Sequence, residues 1–190
     1  MSDFKYWIWD NALSKEFCEL EVSKTNWQET KIGEIFVDNA GITKPIEDKN
    51  IRISRVVWVD NISPIGCVAQ IYANMANDKA GWNFNVSSCE QIQISKYDSS
   101  ELGFYDWHTD GDFFANAQYG LVRKLSVTIL LSDPKDFEGG VFEFEGFKEQ
   151  PQLKQGSIIV FPSFLKHRVT PVTSGIRHSA VTWVSGPSYK

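Results

Sequence analysis

From Gln91 onward, the pattern of apolar and polar positions becomes one of short strands at close intervals, at 91–97, 124–132, 141–145, 157–162, 167–172 and 177–184. Short apolar-rich stretches bounded by turn residues mark strands rather than helices. Turn signals at Asp133-Pro134, Gly139-Gly140, Gly146, Gly156 and Ser174-Gly175 separate them. Ile51 to Asp60 is β-branched and alternating, which predicts one more strand. Two earlier segments follow the helical period instead. In Ser14 to about Trp27, Phe17, Leu20, Glu21 and Lys24 recur at helical spacing, with Ser14 as N-cap. Ser63-Pro64 opens a second helix whose stripe Ile65, Val68, Ala69, Ile71, Tyr72, Met75 and Ala76 ends near Gly81. That stripe is expected to pack on a sheet. Gly33 to Asn50 is polar, holds Gly41 and Pro45, and predicts a mobile loop.

Many short strands behind two helices predict a mainly β fold with flanking helices, a two-sheet antiparallel barrel or jelly roll. No repeat, low-complexity tract or linker divides the 190 residues. A single domain is expected, with N-terminal helical support over about 1–85 and a jelly-roll core over about 86–186.

Composition narrows the function. Hydrophobic residues make up 42%, with seven Trp and thirteen Phe, which fits an aromatic interior rather than a disordered chain. A formal net charge of −5 supplies no basic stripe, so a nucleic-acid partner is not expected. Cys18, Cys67 and Cys89 have neither disulfide-framework nor metal-ligand spacing, which points to a reducing compartment. With no signal peptide and no apolar run of about 20 residues, a cytoplasmic protein without a membrane partner is the expectation.

The chemistry concentrates in His108-Thr109-Asp110 and the distant His167, in a chain with three histidines. In extended backbone, residues i and i+2 project to one side. His108 and Asp110 can therefore meet one ion while Thr109 points away. With His167 they form a two-histidine, one-carboxylate set, which holds Fe(II) on one face and leaves the others open. Zinc, manganese and nickel use the same ligands. Asp112 is an alternative carboxylate only if Gly111 reverses the chain. The segment C-terminal to His167 favours iron. Thr173-Ser174-Gly175 predicts a turn, with a return strand beginning near Arg177. An Arg there presents a fixed fork of donors to a carboxylate, as a chelating diacid such as 2-oxoglutarate requires. Ser179 shares its face and can add a hydrogen bond; His178 lies on the opposite face.

These residues resemble the 2-oxoglutarate- and Fe(II)-dependent oxygenases of the prolyl 4-hydroxylase type, near the PKHD-type hydroxylases, over about positions 90–185. The matching blocks are Tyr97 with Gly103 to Asp110, Leu125 to Pro134, Glu138 to Phe142, Gly156 to Ser163, and His167 through Arg177 to Trp183. The resemblance implies a double-stranded β-helix whose mouth holds the metal, with 33–50 and 98–106 as lids. It implies Fe(II) on His108, Asp110 and His167, and 2-oxoglutarate bound by Arg177 and hydrogen-bonded by Tyr97. The implied reaction uses O₂, releases succinate and CO₂, hydroxylates a C–H bond, and has ascorbate as reductant. Many prolyl 4-hydroxylases carry Lys where this chain has Arg177, so a collagen-like substrate is not implied. Oxygen-sensing relatives carry Thr where Val181 stands.

The expected substrate is a prolyl residue of a peptide or protein. Alternatives are a small-molecule or nucleobase hydroxylase of the same class, and a non-catalytic cupin-like metal-binding protein. Trp107, Phe113, Phe114 and Trp183 are candidates for an aromatic cleft. Arg52 and Arg55 face opposite sides of one strand, so only one can enter the barrel mouth.

Overall fold

The computed structural model of the protein describes residues 5–39, 42–111 and 120–188. Its elements, in chain order, begin with β1 (Trp7–Trp9), α1 (Lys15–Lys24), β2 (Lys31–Ile32), β3 (Ile35–Asn39), β4 (Ile42–Ile46), β5 (Arg52–Ile53), β6 (Arg55–Val59) and α2 (Pro64–Lys79). They continue with β7 (Ser88–Cys89), β8 (Ile92–Asp98), β9 (Phe104–His108), β10 (Leu121–Leu130) and β11 (Phe137–Gly139). The last are β12 (Phe142–Phe144), β13 (Ile158–Pro162), β14 (His167–Val169) and β15 (Val172–Pro187).

Among the described residues these strands build a major sheet of nine, with the path β1-β13-β10-β15-β8-β6-β2, and a minor sheet in the order β12-β14-β9-β5. Alternation along the major-sheet strands sorts side chains into two cores. Ile92, Ile94, Leu125, Val127, Ile129, Ile158 and Val160 pack with Ile65, Ala69, Ala73 and Ala76 of α2. One residue over, Tyr97, Ile159 and Phe161 meet Phe142, Phe144 and Val169 of the minor sheet. A jelly roll results: two antiparallel sheets closed on an aromatic interior, with helices outside the major sheet. Both helix caps are as expected. Ser14 Oγ accepts from the Phe17 amide and Ser63 Oγ from the Gly66 amide, each worth about 1 kcal/mol.

Several local expectations are corrected. Residues 33–50 hold the antiparallel hairpin β3–β4 rather than a loop. The expected 51–60 strand splits at Ser54, β5 joining the minor sheet and β6 the major one. Of the α2 stripe, Ile71 and Met75 are exposed, and the inward face is Ile65 with the small residues Ala69, Ala73 and Ala76. Leu20 of α1 is also exposed, while Cys18 and Glu21 are buried. Residues 98–106 contain a short 3₁₀ turn and the start of β9, leaving little of a lid loop.

The most consequential correction lies after His167. At Thr170-Pro171 the chain crosses from the minor to the major sheet without reversing, still antiparallel to the β9 and β8 residues it passes, and Val172–Pro187 is one strand. Thr173-Ser174-Gly175 is therefore no turn but an irregularity where β11 pairs with β15, its register shifting between Glu138 and Gly139. Gly175 has φ +71°, and a Cβ there would stand 2.0 Å from the Asp136 carbonyl oxygen. Glycine is needed for that close approach. No helix among the described residues is long and apolar enough to cross a membrane.

Candidate metal and co-substrate site

His108 ends β9 and His167 begins β14, and the two are directly opposed across the minor sheet. Asp110 lies just beyond β9, where the amides of Asp110 and Gly111 both donate to the Ser163 carbonyl, at 3.0 and 2.7 Å. That anchor swings the carboxylate back toward the imidazoles. His108 Nε2 stands 3.7 Å from Asp110 Oδ1, and His167 Nε2 stands 3.5 Å from Oδ2. One ligand atom from each of the three falls within 4.8 Å of the others.

The outer nitrogens fix the inner ones. His108 Nδ1 lies 2.8 Å from the Asp106 carbonyl and His167 Nδ1 lies 2.9 Å from that of Leu165. A carbonyl only accepts, so each Nδ1 carries the proton and each Nε2 offers a bare lone pair to the cluster. Burial, then the neighbouring His167, pushes the His108 imidazole down to about 3, so it is neutral at ordinary pH. Burial raises the Asp110 carboxyl, but His167, His108 and Arg123 outweigh that and leave it below its usual value. Tyr105 stacks on His108 with ring centroids 3.5 Å apart, and Phe161 meets His167 edge-on at 4.7 Å. Two imidazoles and one carboxylate, locked in direction and close together, suit a borderline divalent ion.

The cluster opens on a cavity of about 350 Å³. Inward positions of β15, namely Arg177, Ser179, Val181 and Trp183, form one wall. Arg177 is opposite Tyr97 of β8 in register, is 1% exposed, and donates from Nη1 to Ser179 Oγ at 3.0 Å. Unlike Arg55, Arg123 and Arg168, which pair with Glu101, Glu90 and Glu143, it has no carboxylate within ion-pair distance among the described residues. A buried, unpaired guanidinium is costly without a counter-charge. Its setting is that of an anion clamp.

All six residues singled out from sequence, His108, Asp110, His167, Tyr97, Arg177 and Ser179, line this one cavity. His178 points the other way, its ring 5.0 Å from that of Trp27 and its Nδ1 3.3 Å from Ser132 Oγ. Trp107 and Trp183 also line the cavity; Asp112, Phe113 and Phe114 lie outside the described residues. Of the arginines of β5 and β6, Arg52 lines the cavity and Arg55 is on the outer surface, paired with Glu101.

Sequence reasoning missed Arg123 and, although Tyr105 lies in the matching block Gly103 to Asp110, gave it no role. Arg123 lines the cavity, forks onto Glu90 at 2.8 and 2.6 Å, and lies 3.8 Å from the Trp183 ring centroid. Its partner is 33 residues away in sequence, so local pattern carries no trace of the pair. Tyr105 is signalled only by its place three residues before His108.

Residues 92–185 match the model of the 2OG-Fe(II) oxygenase superfamily. A PKHD-type hydroxylase of Synechococcus sp. (strain JA-2-3B'a(2-13)) is 37% identical over 95 residues, which are 49% of this chain and 42% of that relative. The match thus spans less than half of the relative's own length. Among solved structures, the viral collagen prolyl hydroxylase of Paramecium bursaria Chlorella virus-1, in its 2OG complex, superposes with a TM-score of 0.72 at 19% identity, covering 97% of each chain. A Pseudomonas putida prolyl-4-hydroxylase gives a TM-score of 0.70 at 15% identity, covering 98% of this chain and 95% of that one. At such identities the likeness is one of fold.

Proposed function

The chain belongs to the 2OG-Fe(II) oxygenase superfamily, and on that premise we propose that it is a 2-oxoglutarate-dependent dioxygenase that hydroxylates a prolyl residue of a peptide or protein. The observation that carries the reading is a pairing within one cavity: a three-ligand cluster, and a fully buried Arg177 with no carboxylate partner among the described residues. A metal site alone fits storage or sensing. A metal site facing an unneutralised guanidinium fits a chelating diacid held at both ends.

In this reading His108 Nε2, His167 Nε2 and an Asp110 oxygen hold Fe(II), and Arg177 takes the far carboxylate of 2-oxoglutarate. Bound together, iron and co-substrate would supply O₂ activation, coupled to loss of CO₂, release of succinate and hydroxylation of a C–H bond. The chain's own contribution is geometry and exclusion. The backbone carbonyls of Asp106 and Leu165 keep the Nδ1 protons, so neither imidazole can turn its lone pair away. Ser179 would orient the Arg177 fork, and the Tyr97 phenol, from the position opposite it in register, would hydrogen-bond the same carboxylate. Ile51, Phe142, Val169 and Trp183 make much of the remaining wall apolar, which keeps water from the reacting atoms. Ascorbate is the proposed reductant for iron oxidised in unproductive cycles. The prolyl substrate is supported by the hydroxylase names of the relatives and by the aromatic lining from Trp107 and Trp183.

Anaerobic addition of Fe(II) and then 2-oxoglutarate tests the class: a weak visible charge-transfer band is expected, and must vanish in Asp110→Ala. Succinate release across a panel of proline-containing peptides tests the substrate. No band with wild-type protein refutes the oxygenase reading; a band without peptide-stimulated succinate refutes the prolyl one.

A further inference from the structure

Two buried side-chain nitrogens lack an acceptor among the described residues, Arg52 Nη2 and Trp183 Nε1. Both residues line the candidate cavity. Buried donors in folded proteins are nearly always satisfied, so two orphans in one cavity mark where a guest brings acceptors.

Arg52 is held in place. Its Nε donates to Ser54 Oγ at 2.8 Å and its Nη1 to the Glu34 carbonyl at 3.2 Å. The guanidinium lies 4.6 Å from the centroid of the Tyr105 ring, the same ring that stacks on His108. Gly33 makes the room: a Cβ there would stand 2.4 Å from Arg52 Nε. Two nitrogens fix the plane of the fork, and the third is left unpaired one ring away from the metal ligands.

Charge points the same way. Arg123 is neutralised by Glu90, and Glu34, exposed at the rim, forms no ion pair with Arg52. Among the described residues this leaves buried Arg52 and Arg177 facing buried Asp110, with the exposed Glu34 the other acidic group of the lining. A divalent ion and a dianionic co-substrate cancel, so among the buried described groups one positive charge is left over. A buried charge without a partner is unfavourable, and a guest with one carboxylate removes it. At about 350 Å³ the cavity is at the small end for ligand sites, enough for an amino-acid-sized group beside the co-substrate.

We infer that Arg52 is a specificity residue selecting a substrate with a carboxylate close to the carbon that is hydroxylated. The carboxylate belongs to a C-terminal prolyl residue, or to an acidic side chain beside the target residue. The inference rests on the oxygenase reading above and narrows its substrate.

The test uses protein loaded with Mn(II), which occupies such a site without turnover, and with 2-oxoglutarate. Calorimetry then compares N-acetyl-L-proline with its neutral amide, and a short peptide with Glu beside proline with its Gln counterpart. Wild-type protein is expected to bind the acidic member of one pair about 30-fold or more tighter than the neutral member. Which pair shows the preference separates a terminal carboxylate from a side-chain one. In Arg52→Met, and in Arg52→Gln should Met disturb folding, the preference should disappear while 2-oxoglutarate still binds as in wild type. Equal binding of acidic and neutral probes, binding of neither, or a preference that survives both substitutions overturns the assignment. Wild-type protein that fails to bind 2-oxoglutarate at all overturns the underlying oxygenase reading, a result distinct from these.

Discussion

Replacing Arg177 by Met removes the charge and keeps most of the volume, so it separates what the guanidinium does for a ligand from what it does for the fold. Arg177 is 1% exposed, and it hydrogen-bonds a neutral hydroxyl, Ser179 Oγ at 3.0 Å, rather than an anion. Burial itself pulls its pKa below the usual arginine value. Without a ligand the charge should be a burden. Exchanging buried ionic groups for apolar ones of similar volume is often neutral or stabilising, by about 1–4 kcal/mol. With 2-oxoglutarate the sign reverses, because loss of a buried charge-assisted contact costs about 2–5 kcal/mol, or roughly 30- to several-thousand-fold in affinity. Thermal melts show both effects at once. At a hundredfold excess of ligand over Kd, wild-type protein should gain about 2.7 kcal/mol, roughly 5–11 °C for a domain of this size. Arg177→Met should melt no lower than wild type when empty and gain little when the ligand is added. An empty variant that melts several degrees lower, with undiminished affinity for 2-oxoglutarate by calorimetry, would show that Arg177 is a structural charge.

Asp110→Ala should leave the melt of the metal-free protein nearly unchanged and reduce metal uptake sharply in a Mn(II) titration; full uptake would remove Asp110 from the ligand set. His167→Ala should lose several orders of magnitude in succinate release while His178→Ala stays within about tenfold, since His178 contacts Trp27 and Ser132 on the far side of β15. Burial, then Lys96 and Arg177, hold the His178 imidazole down at about 4. Between about pH 6.5 and pH 4 the unfolded chain therefore binds a proton that the folded one refuses. Stability is complete above that window and falls through it by at most about 1.4 kcal/mol per pH unit. Denaturant melts of His178→Gln should show a shallower fall, and an identical slope in both proteins refutes the assignment. Gly175→Ala should cost more than about 1 kcal/mol in chemical denaturation, because its φ of +71° and the Asp136 carbonyl leave no place for a methyl group.

What the sequence disclosed depended on the range of the interaction. Period-two alternation marked β8 and β10, because Ile92, Ile94, Leu125, Val127 and Ile129 face the α2 core while Gln93, Ser95, Ser126 and Thr128 take the other side; β13 faces two cores and is apolar throughout. Face-sharing within a strand was equally local, so Arg177 and Ser179 could be put together and His178 apart. Misreadings arose where one residue type serves two structures. Ser174-Gly175 is a turn signal, yet here glycine admits the backbone of β11 against β15. Pro45 argued against a strand, and β4 tolerates it in a two-stranded hairpin outside both main sheets. The Arg123–Glu90 fork and the seat of Arg52 on Gly33, Ser54 and the Glu34 carbonyl depend on chain crossings that no window of sequence contains.

His108 and His167 belong to one sheet and Arg177 with Tyr97 to the other, so under the proposed function the molecule would work as a caliper. Its jaws are the two sheets, and its opening is set by the aromatic packing of Phe142, Phe144 and Phe161 between them. A substitution such as Phe161→Leu, touching neither jaw tip, would change the gauge of the instrument: the bite on a diacid of fixed length. Chain length of the proposed co-substrate would then be measured by the core, and altered tolerance for a shorter or longer oxo-diacid is where selection for a new gauge would first become visible.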